Sequence, residues 1–164
     1  MQENKNGNIG QVSDSRLMEF KLGHESFALP LLAVREVIAL ANVTPIPQSP
    51  PYFLGIMNLR GLIVSIVDLR KKIGVPAATT AENAVVICAL GGVSIGFLVD
   101  SVVAVLSPEA EDLSDASDIQ GIKRGDFLSG VYRQKDRIVL LIEPTKLMNV
   151  SDQQFVKNLN QKAA

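Results

Sequence analysis

The segment "MNLRGLIVSIVDLR", from Met57 to Arg70, decides the fold prediction. Two apolar runs flank the dipeptide Arg60-Gly61, and a two-residue connection that contains glycine is typical of a tight β-hairpin. Asp68 follows the second run and can cap a short helix over residues 69–73, which Gly74 would end. The arginine at the hairpin tip is either a solvated turn residue or a side chain that the turn displays to a partner.

Similar apolar runs continue on both sides of this hairpin and predict a chain made mainly of strands. The predicted strands are Arg16–Leu22, Ser26–Leu29, Val34–Ala39, Leu54–Leu59, Leu62–Val67, Ala84–Leu90, Val93–Leu106, Phe127–Tyr132 and Arg137–Ile142. Short helical segments are expected at Pro30–Ala33 and Pro144–Val150, and a polar tail helix that docks or frays at Ser151–Ala164. The polar residues 1–14 are expected to be disordered.

A weak internal repeat predicts the domain organisation. Gly23 and Phe27 align with Gly91 and Ile95, which follow 68 positions later, and Gly55 aligns with Gly130 at an offset of 75 positions. The chain is therefore predicted to be all-β, with two intertwined β subdomains of about five strands each within residues 15–150. The second subdomain would span roughly residues 84–142. Each half is too small for a large core of its own, so the two closed barrels should share a hydrophobic core.

Composition disfavours several classes of partner. The 164 residues include 16 basic and 17 acidic side chains and no tryptophan, which argues against a nucleic-acid binder. The uncharged apolar stretch over residues 84–99 is divided by Gly91-Gly92 and is too short for a membrane helix, so no membrane insertion is expected. A single cysteine cannot form an intramolecular disulfide, which fits a reducing, cytoplasmic setting.

Catalytic and metal-binding chemistry also lack the required residues. The one histidine, His24, falls in a predicted turn, and the one cysteine, Cys88, falls in an apolar run that predicts an inert core thiol. Asp112, Asp115 and Asp118 recur every third residue in an acidic loop over 107–126, a spacing that does not fit a calcium loop. No enzyme activity, metal or cofactor is expected, and the role of this loop stays open.

The strand predicted at Val34–Ala39 points instead to a binding surface. Val34 and Glu36 share one face and Arg35 and Val37 the other, so each face carries one apolar and one charged side chain. This mixture indicates either a face half-covered by a partner or an edge strand protected from aggregation by its charges.

At this point the sequence resembles the CheW family of chemotaxis coupling proteins. The family pattern joins a segment I/L-x-x-V-x-E-I/V, a proline-containing crossing and the run G-x-x-N-L-R-G-x-I-x-x-I-x-D-L-R. The matching residues here are Leu31, Val34, Glu36, Val37, Pro47, Gly55, Asn58, Leu59, Arg60, Gly61, Ile63, Ile66, Asp68, Leu69 and Arg70. The segment "GFLVDSVVAVL" is similar to the family's G-x-x-V-D-x-V-x-x-V, and the resemblance covers about residues 16–148.

The resemblance implies two five-stranded SH3-like β-barrels and a non-enzymatic adaptor between chemoreceptors and the regulatory domain of a CheA-type histidine kinase. It implies a cytoplasmic protein recruited to membrane-associated receptor arrays, where it can also join other CheW-like domains in rings. The hairpin tip of a receptor would lie in a groove between the barrels. The groove residues implied here are Val34, Glu36, Gly55, Asn58, Leu59, Arg60 and Gly61, and Ile119 is the candidate for a kinase or ring contact. A coupler of a non-flagellar system, such as type IV pilus control, is the alternative.

Overall fold

The computed structural model describes residues 15–76, 83–115 and 127–162, and within these ranges the chain forms eleven strands and two α-helices. The strands are β1 (Leu17–Leu22), β2 (Glu25–Pro30), β3 (Val34–Ile38), β4 (Phe53–Leu59), β5 (Leu62–Asp68), β6 (Ala84–Leu90), β7 (Val93–Val99), β8 (Ser101–Leu106), β9 (Leu113–Asp115), β10 (Leu128–Gln134) and β11 (Arg137–Ile142). The α-helices are α1 (Leu69–Ile73) and α2 (Val150–Lys162), and 3-10 turns occupy Leu31–Ala33, Ala110–Asp112 and Pro144–Lys146.

Two sheets share these strands and confirm the all-β fold of two SH3-like subdomains. One sheet has the order β8-β1-β2-β11-β10-β9 and the other the order β3-β6-β7-β5-β4. The expected count of five strands holds for the second sheet. The first has six, because residues 113–115 of the predicted acidic loop form the short strand β9 on the edge beside β10.

The two repeats exchange strands. The hairpin β6–β7 comes from the second half of the chain but lies in the sheet of β3, β4 and β5, while β1 and β2 lie with β8–β11. The chain therefore does not change sheet near residue 84, where the sequence places the start of the second subdomain. Each sheet instead takes strands from both halves of the chain. The pairing of Val34 with Cys88 in one sheet repeats, at the same offset of 68 positions, as the pairing of Phe20 with Val102 in the other.

A shared core fills the space between the sheets. It contains Phe20, Leu29, Val86, Phe97 and Ile142, which come from strands of both sheets, and all five are fully buried. Burying large apolar side chains stabilises a fold by roughly 1.5–3 kcal/mol each, so this shared cluster supports both barrels at once.

The C-terminal helix docks on this core. The ring of Phe155 lies 4.8 Å from the ring of Phe53 at the start of β4, and Val156 is fully buried. The buried carboxylate of Asp152 accepts hydrogen bonds from the Tyr52 hydroxyl and from Lys72 Nζ, the latter at 2.6 Å. The sequence leaves open whether this helix docks or frays, and in the structure it docks.

Three predicted elements differ from the structure. The strand predicted over Val93–Leu106 is two strands in different sheets, because the buried side chain of Asp100 is held in the connection between them. The helix predicted at Pro144–Val150 is only the 3-10 turn Pro144–Lys146, and the tail helix begins at Val150. The predicted disorder of residues 1–14 and most of the acidic loop, 116–126, lie outside the described residues.

Candidate functional site

The turn between β4 and β5 holds Arg60 in a defined position. Arg60 has a φ of 50° and Gly61 a φ of 86°, and two successive residues in the left-handed region are characteristic of a type I′ hairpin turn. Asn58 Oδ1 accepts a hydrogen bond of 2.9 Å from the Gly61 backbone N–H and so closes the turn. The backbone therefore fixes the direction in which the arginine leaves the hairpin.

Across from this turn, Glu36 on the edge strand β3 pairs with Arg60. The Arg60 guanidinium donates to the Glu36 carboxylate, and the two side chains are 70% and 33% exposed. An ion pair with this exposure contributes about 0–1 kcal/mol to stability, because water screens both charges. The pair therefore acts mainly through geometry, holding a guanidinium at the surface where a partner can reach its remaining N–H donors.

Strand β3 has the two faces of mixed apolar and charged residues that the sequence indicates. Its pairing with β6 is interrupted at Arg35 by a bulge, after which Glu36 pairs with Ile87. Arg35 and Val37 are exposed, whereas Val34 and Glu36 are half-buried, and Val34 packs against the shared core. The faces alternate as the sequence predicts, and the half-buried face is the one that carries Glu36.

Two of the expected groove residues lie beneath the surface. Gly55 is buried with a φ of 143°, and a Cβ there would collide with the backbone carbonyl of Thr44. Leu59 is half-buried and packs on the core of the five-stranded sheet. The structure thus brings together Glu36, Asn58, Arg60 and Gly61 at one surface, whereas Gly55 and Leu59 support them from below. Ile119 lies outside the described residues.

An apolar surface that the sequence analysis did not identify lies on β8. Val103 and Val105 are 48% and 52% exposed on this edge strand, and Leu32 in the neighbouring 3-10 turn is 72% exposed. That turn lies near the end of β8, because Leu31 N donates to Arg16 O and the next residue of β1 pairs with Leu106. We call Leu32, Val103 and Val105 the junction strip. In the sequence, β8 corresponds to the apolar run "SVVAVL", but only the sheet order shows that it is an edge strand.

Beneath the surface, a charged network joins α1 to the crossover between the sheets. Arg70 Nη1 donates to Asp100 Oδ1 at 2.7 Å and Arg70 Nε to Asp68 Oδ1 at 3.2 Å. Asp100 Oδ2 also accepts the backbone N–H of Gly23 at 2.6 Å. The hydrogen bond to Asp68 is the main cause that raises the pKa of Arg70. The aspartates and the arginine of the "DLR" and "VD" motifs therefore link α1, the connection between β7 and β8 and the β1–β2 turn.

The two residues considered for catalysis lie in different sheets, with Cys88 on β6 and His24 in the β1–β2 turn. Burial raises the pKa of the Cys88 thiol to about 12, so the thiolate that would act as a nucleophile is not formed at neutral pH. His24 lies exposed in the β1–β2 turn. Within residues 15–76, 83–115 and 127–162, no cluster of histidine, cysteine, aspartate and glutamate could hold a metal ion. None of the described helices is long and apolar enough to cross a membrane.

The fold and this surface define a class of protein: a strand-exchanged pair of β-barrels with an exposed arginine–glutamate pair at one hairpin turn. Comparison with known proteins identifies the family, because the CheW-like domain matches residues 16–152. The chain belongs to the CheW-like domain family.

Individual relatives agree over most of the chain. It is 32% identical over 128 residues to a chemotaxis protein CheW of Rhizobium meliloti, covering 77% of this chain and 83% of the relative. It is 32% identical over 151 residues to a chemotaxis protein CheW of Klebsiella aerogenes, covering 92% and 91% of the two chains. The crystal structure of the scaffolding protein TtCheW from Thermoanaerobacter tengcongensis is similar, with a TM-score of 0.76, 26% identity and coverage of 85% and 95%.

Proposed function

We propose that this protein is a non-enzymatic scaffold of bacterial chemotaxis that couples chemoreceptors to a CheA-type histidine kinase. Its relatives are named chemotaxis proteins CheW, and the similar solved structure is titled a scaffolding protein. The observation that carries the proposal is the exposed Arg60–Glu36 pair on a turn whose backbone is fixed. Such a scaffold acts in the cytoplasm and is recruited to receptor arrays at the membrane.

The receptor contact combines polar and apolar features of the surface. Arg60 supplies the charge-assisted hydrogen bonds, which contribute about 1.5–3 kcal/mol when they are desolvated by a partner. The junction strip supplies exposed apolar area, and an apolar face of this kind fits the amphipathic helical hairpin at a receptor tip. Single contacts of micromolar affinity suffice, because a repeated array raises the effective concentration of each partner.

Titration calorimetry with a receptor-tip fragment and with the kinase regulatory domain tests this proposal. We expect Arg60→Glu to weaken receptor binding at least about tenfold, equivalent to about 1.4 kcal/mol, and to leave the fold and kinase binding intact. Lys135→Glu is the matched control. Lys135 occupies the β10–β11 turn with the same φ of 50°, and its replacement by glutamate changes the charge by the same amount.

Three results would count against the proposal. Equal receptor binding by wild type and Arg60→Glu would remove Arg60 from the receptor surface. Loss of kinase binding with receptor binding unchanged would assign the arginine to the other partner. Absence of binding to either fragment by the folded wild-type chain would contradict the coupling function itself.

A further inference from the structure

The two glycine turns of the repeats are covered differently. A Cβ at Gly23, in the β1–β2 turn, would lie 3.0 Å from the carbonyl oxygen of Pro76 and 3.2 Å from Val75 Cγ1. The equivalent Gly91, in the β6–β7 turn, has no such neighbour within 4 Å among the described residues. The two glycines have nearly the same φ, 61° and 57°, so the turns match in backbone and differ in what packs on them.

A cavity of about 170 Å³ lies beside the uncovered turn. Its lining residues are Leu90, Gly91, Val93, Ile95, Thr145, Met148, Gln153 and Lys157. In the first repeat the counterpart of Leu90 is Leu22, which is fully buried, whereas Leu90 itself is partly exposed. The wall of the cavity formed by Leu90 therefore corresponds to a position that is covered in the first repeat.

The course of the chain explains the missing cover. In the first repeat, Val75 and Pro76 follow α1 and pack over the turn. The residue 75 positions after Val75 is Val150, which begins α2 and is 84% exposed. Because the second repeat continues into this helix, its valine does not return to the glycine turn.

We propose that this cavity binds a short extended segment of a partner protein, in which valine or isoleucine precedes proline and an acidic residue follows. The packing of Val75 and Pro76 on Gly23 supplies the template for the apolar part. The acidic residue would contact Lys157, which lies exposed at the cavity and forms no ion pair with the described residues. This inference stands independently of the coupling function.

Polar groups at the cavity favour an anionic partner. Gln153 Nε2 already donates to Met148 O at 3.0 Å, and Thr145 Oγ1 donates to Glu143 Oε1 at 3.0 Å. Lys157 supplies the positive charge at the cavity, and an ammonium at the edge of an apolar site favours a carboxylate beside the apolar group.

The test is an NMR titration of the full chain with the peptide acetyl-Ile-Gly-Val-Pro-Glu-amide, which extends residues 73–76 of the chain by one glutamate. We expect saturable shifts confined to backbone amides around Gly91, Val93 and Lys157, with a Kd on the order of 1 mM. Lys157→Glu should weaken binding at least about fivefold and should favour a peptide that ends in lysine. Lys146→Glu, an exposed lysine outside the cavity, is the control and should change nothing.

Other outcomes would overturn the inference. Absence of saturable shifts, or shifts centred on another surface, would exclude this peptide chemistry. Equal binding of the glutamate and lysine peptides would exclude the role of Lys157. Concentration-dependent broadening of the same amides without peptide would show that a second copy of the chain occupies the cavity instead.

Discussion

The β4–β5 and β10–β11 turns occupy equivalent places in the two repeats, and their first residues, Arg60 and Lys135, share a φ of 50°. Their surroundings differ, because Arg60 pairs with Glu36 and the position equivalent to Glu36 is Ala104, a small residue on β8. The same scaffold thus carries a charged pair at β3 and exposed valines at the equivalent strand β8. Backbone geometry is shared between the repeats, and function resides in the side chains that differ.

The largest expected effect tests whether the charged network is particular to the first repeat. Arg70→Met leaves the buried carboxylates of Asp68 and Asp100 without their cation, which should cost about 3–5 kcal/mol. Thr145→Met, at the equivalent exposed position, should change stability by no more than about 0.5 kcal/mol. Urea denaturation measures both free energies of unfolding, and equal values would refute the difference between the repeats.

A smaller difference is expected between the two equivalent glycines, Gly55 and Gly130. Gly55→Ala combines a φ of 143° with a collision against the Thr44 carbonyl and should cost about 2–4 kcal/mol. At Gly130 a Cβ would lie 2.7 Å from Ser114 O without a positive φ, so Gly130→Ala should cost about 1–2 kcal/mol. Thermal unfolding of both variants checks this order, and a larger loss at Gly130 would contradict it.

The smallest effect concerns the buried Glu19, which Arg137 contacts with two N–H donors. The hydrogen bond from Arg137 holds the pKa of Glu19 below its ordinary value of 4.5, against the opposing effect of burial. The stabilisation is therefore complete above about pH 4.5 and is lost as the pH falls through the lower folded-state pKa. Glu19→Gln should cost about 1–2 kcal/mol at neutral pH and flatten the acid dependence of stability, because Arg137 remains 42% exposed and hydrated.

A double variant sharpens the same comparison. The positions equivalent to Glu19 and Arg137 are Ile87 and Leu62, which lie in the five-stranded sheet. Glu19→Ile together with Arg137→Leu should be neutral or stabilising in denaturation at pH 7, since well-packed apolar residues often replace an ion pair without loss. A double variant less stable than Glu19→Gln would show that the six-stranded sheet requires the charge pair.

Local patterns in the sequence predicted most of the scaffold. The cap at Asp68, the end of α1 at Gly74 and the hairpin turn at Arg60-Gly61 are all confirmed, because each depends on neighbouring residues alone. Asp68 accepts from Arg70 N at 3.1 Å, and Gly74 has a φ of 77°. The aligned glycines of the repeat also occur at equivalent turns and bulges.

The break at Asp100 could not be predicted in the same way. The groups that hold Asp100, which belong to Lys21, Gly23 and Arg70, lie 30 or more positions away. The polar pair Asp100-Ser101 does not by itself show that the chain changes sheet there. The junction strip was missed for a similar reason, since an apolar strand gives no local sign of whether its edge will be paired.

The sequence by itself therefore determined the all-β class, the hairpins, the internal repeat and the place of Arg60 at a turn, since periodicity and turn chemistry act over a few residues. The tertiary structure alone decided which hairpins exchange sheets, which strands become edges and which glycine turn is left uncovered. These features depend on pairing and packing between distant segments, so they are set by the whole core and not by any short stretch of sequence.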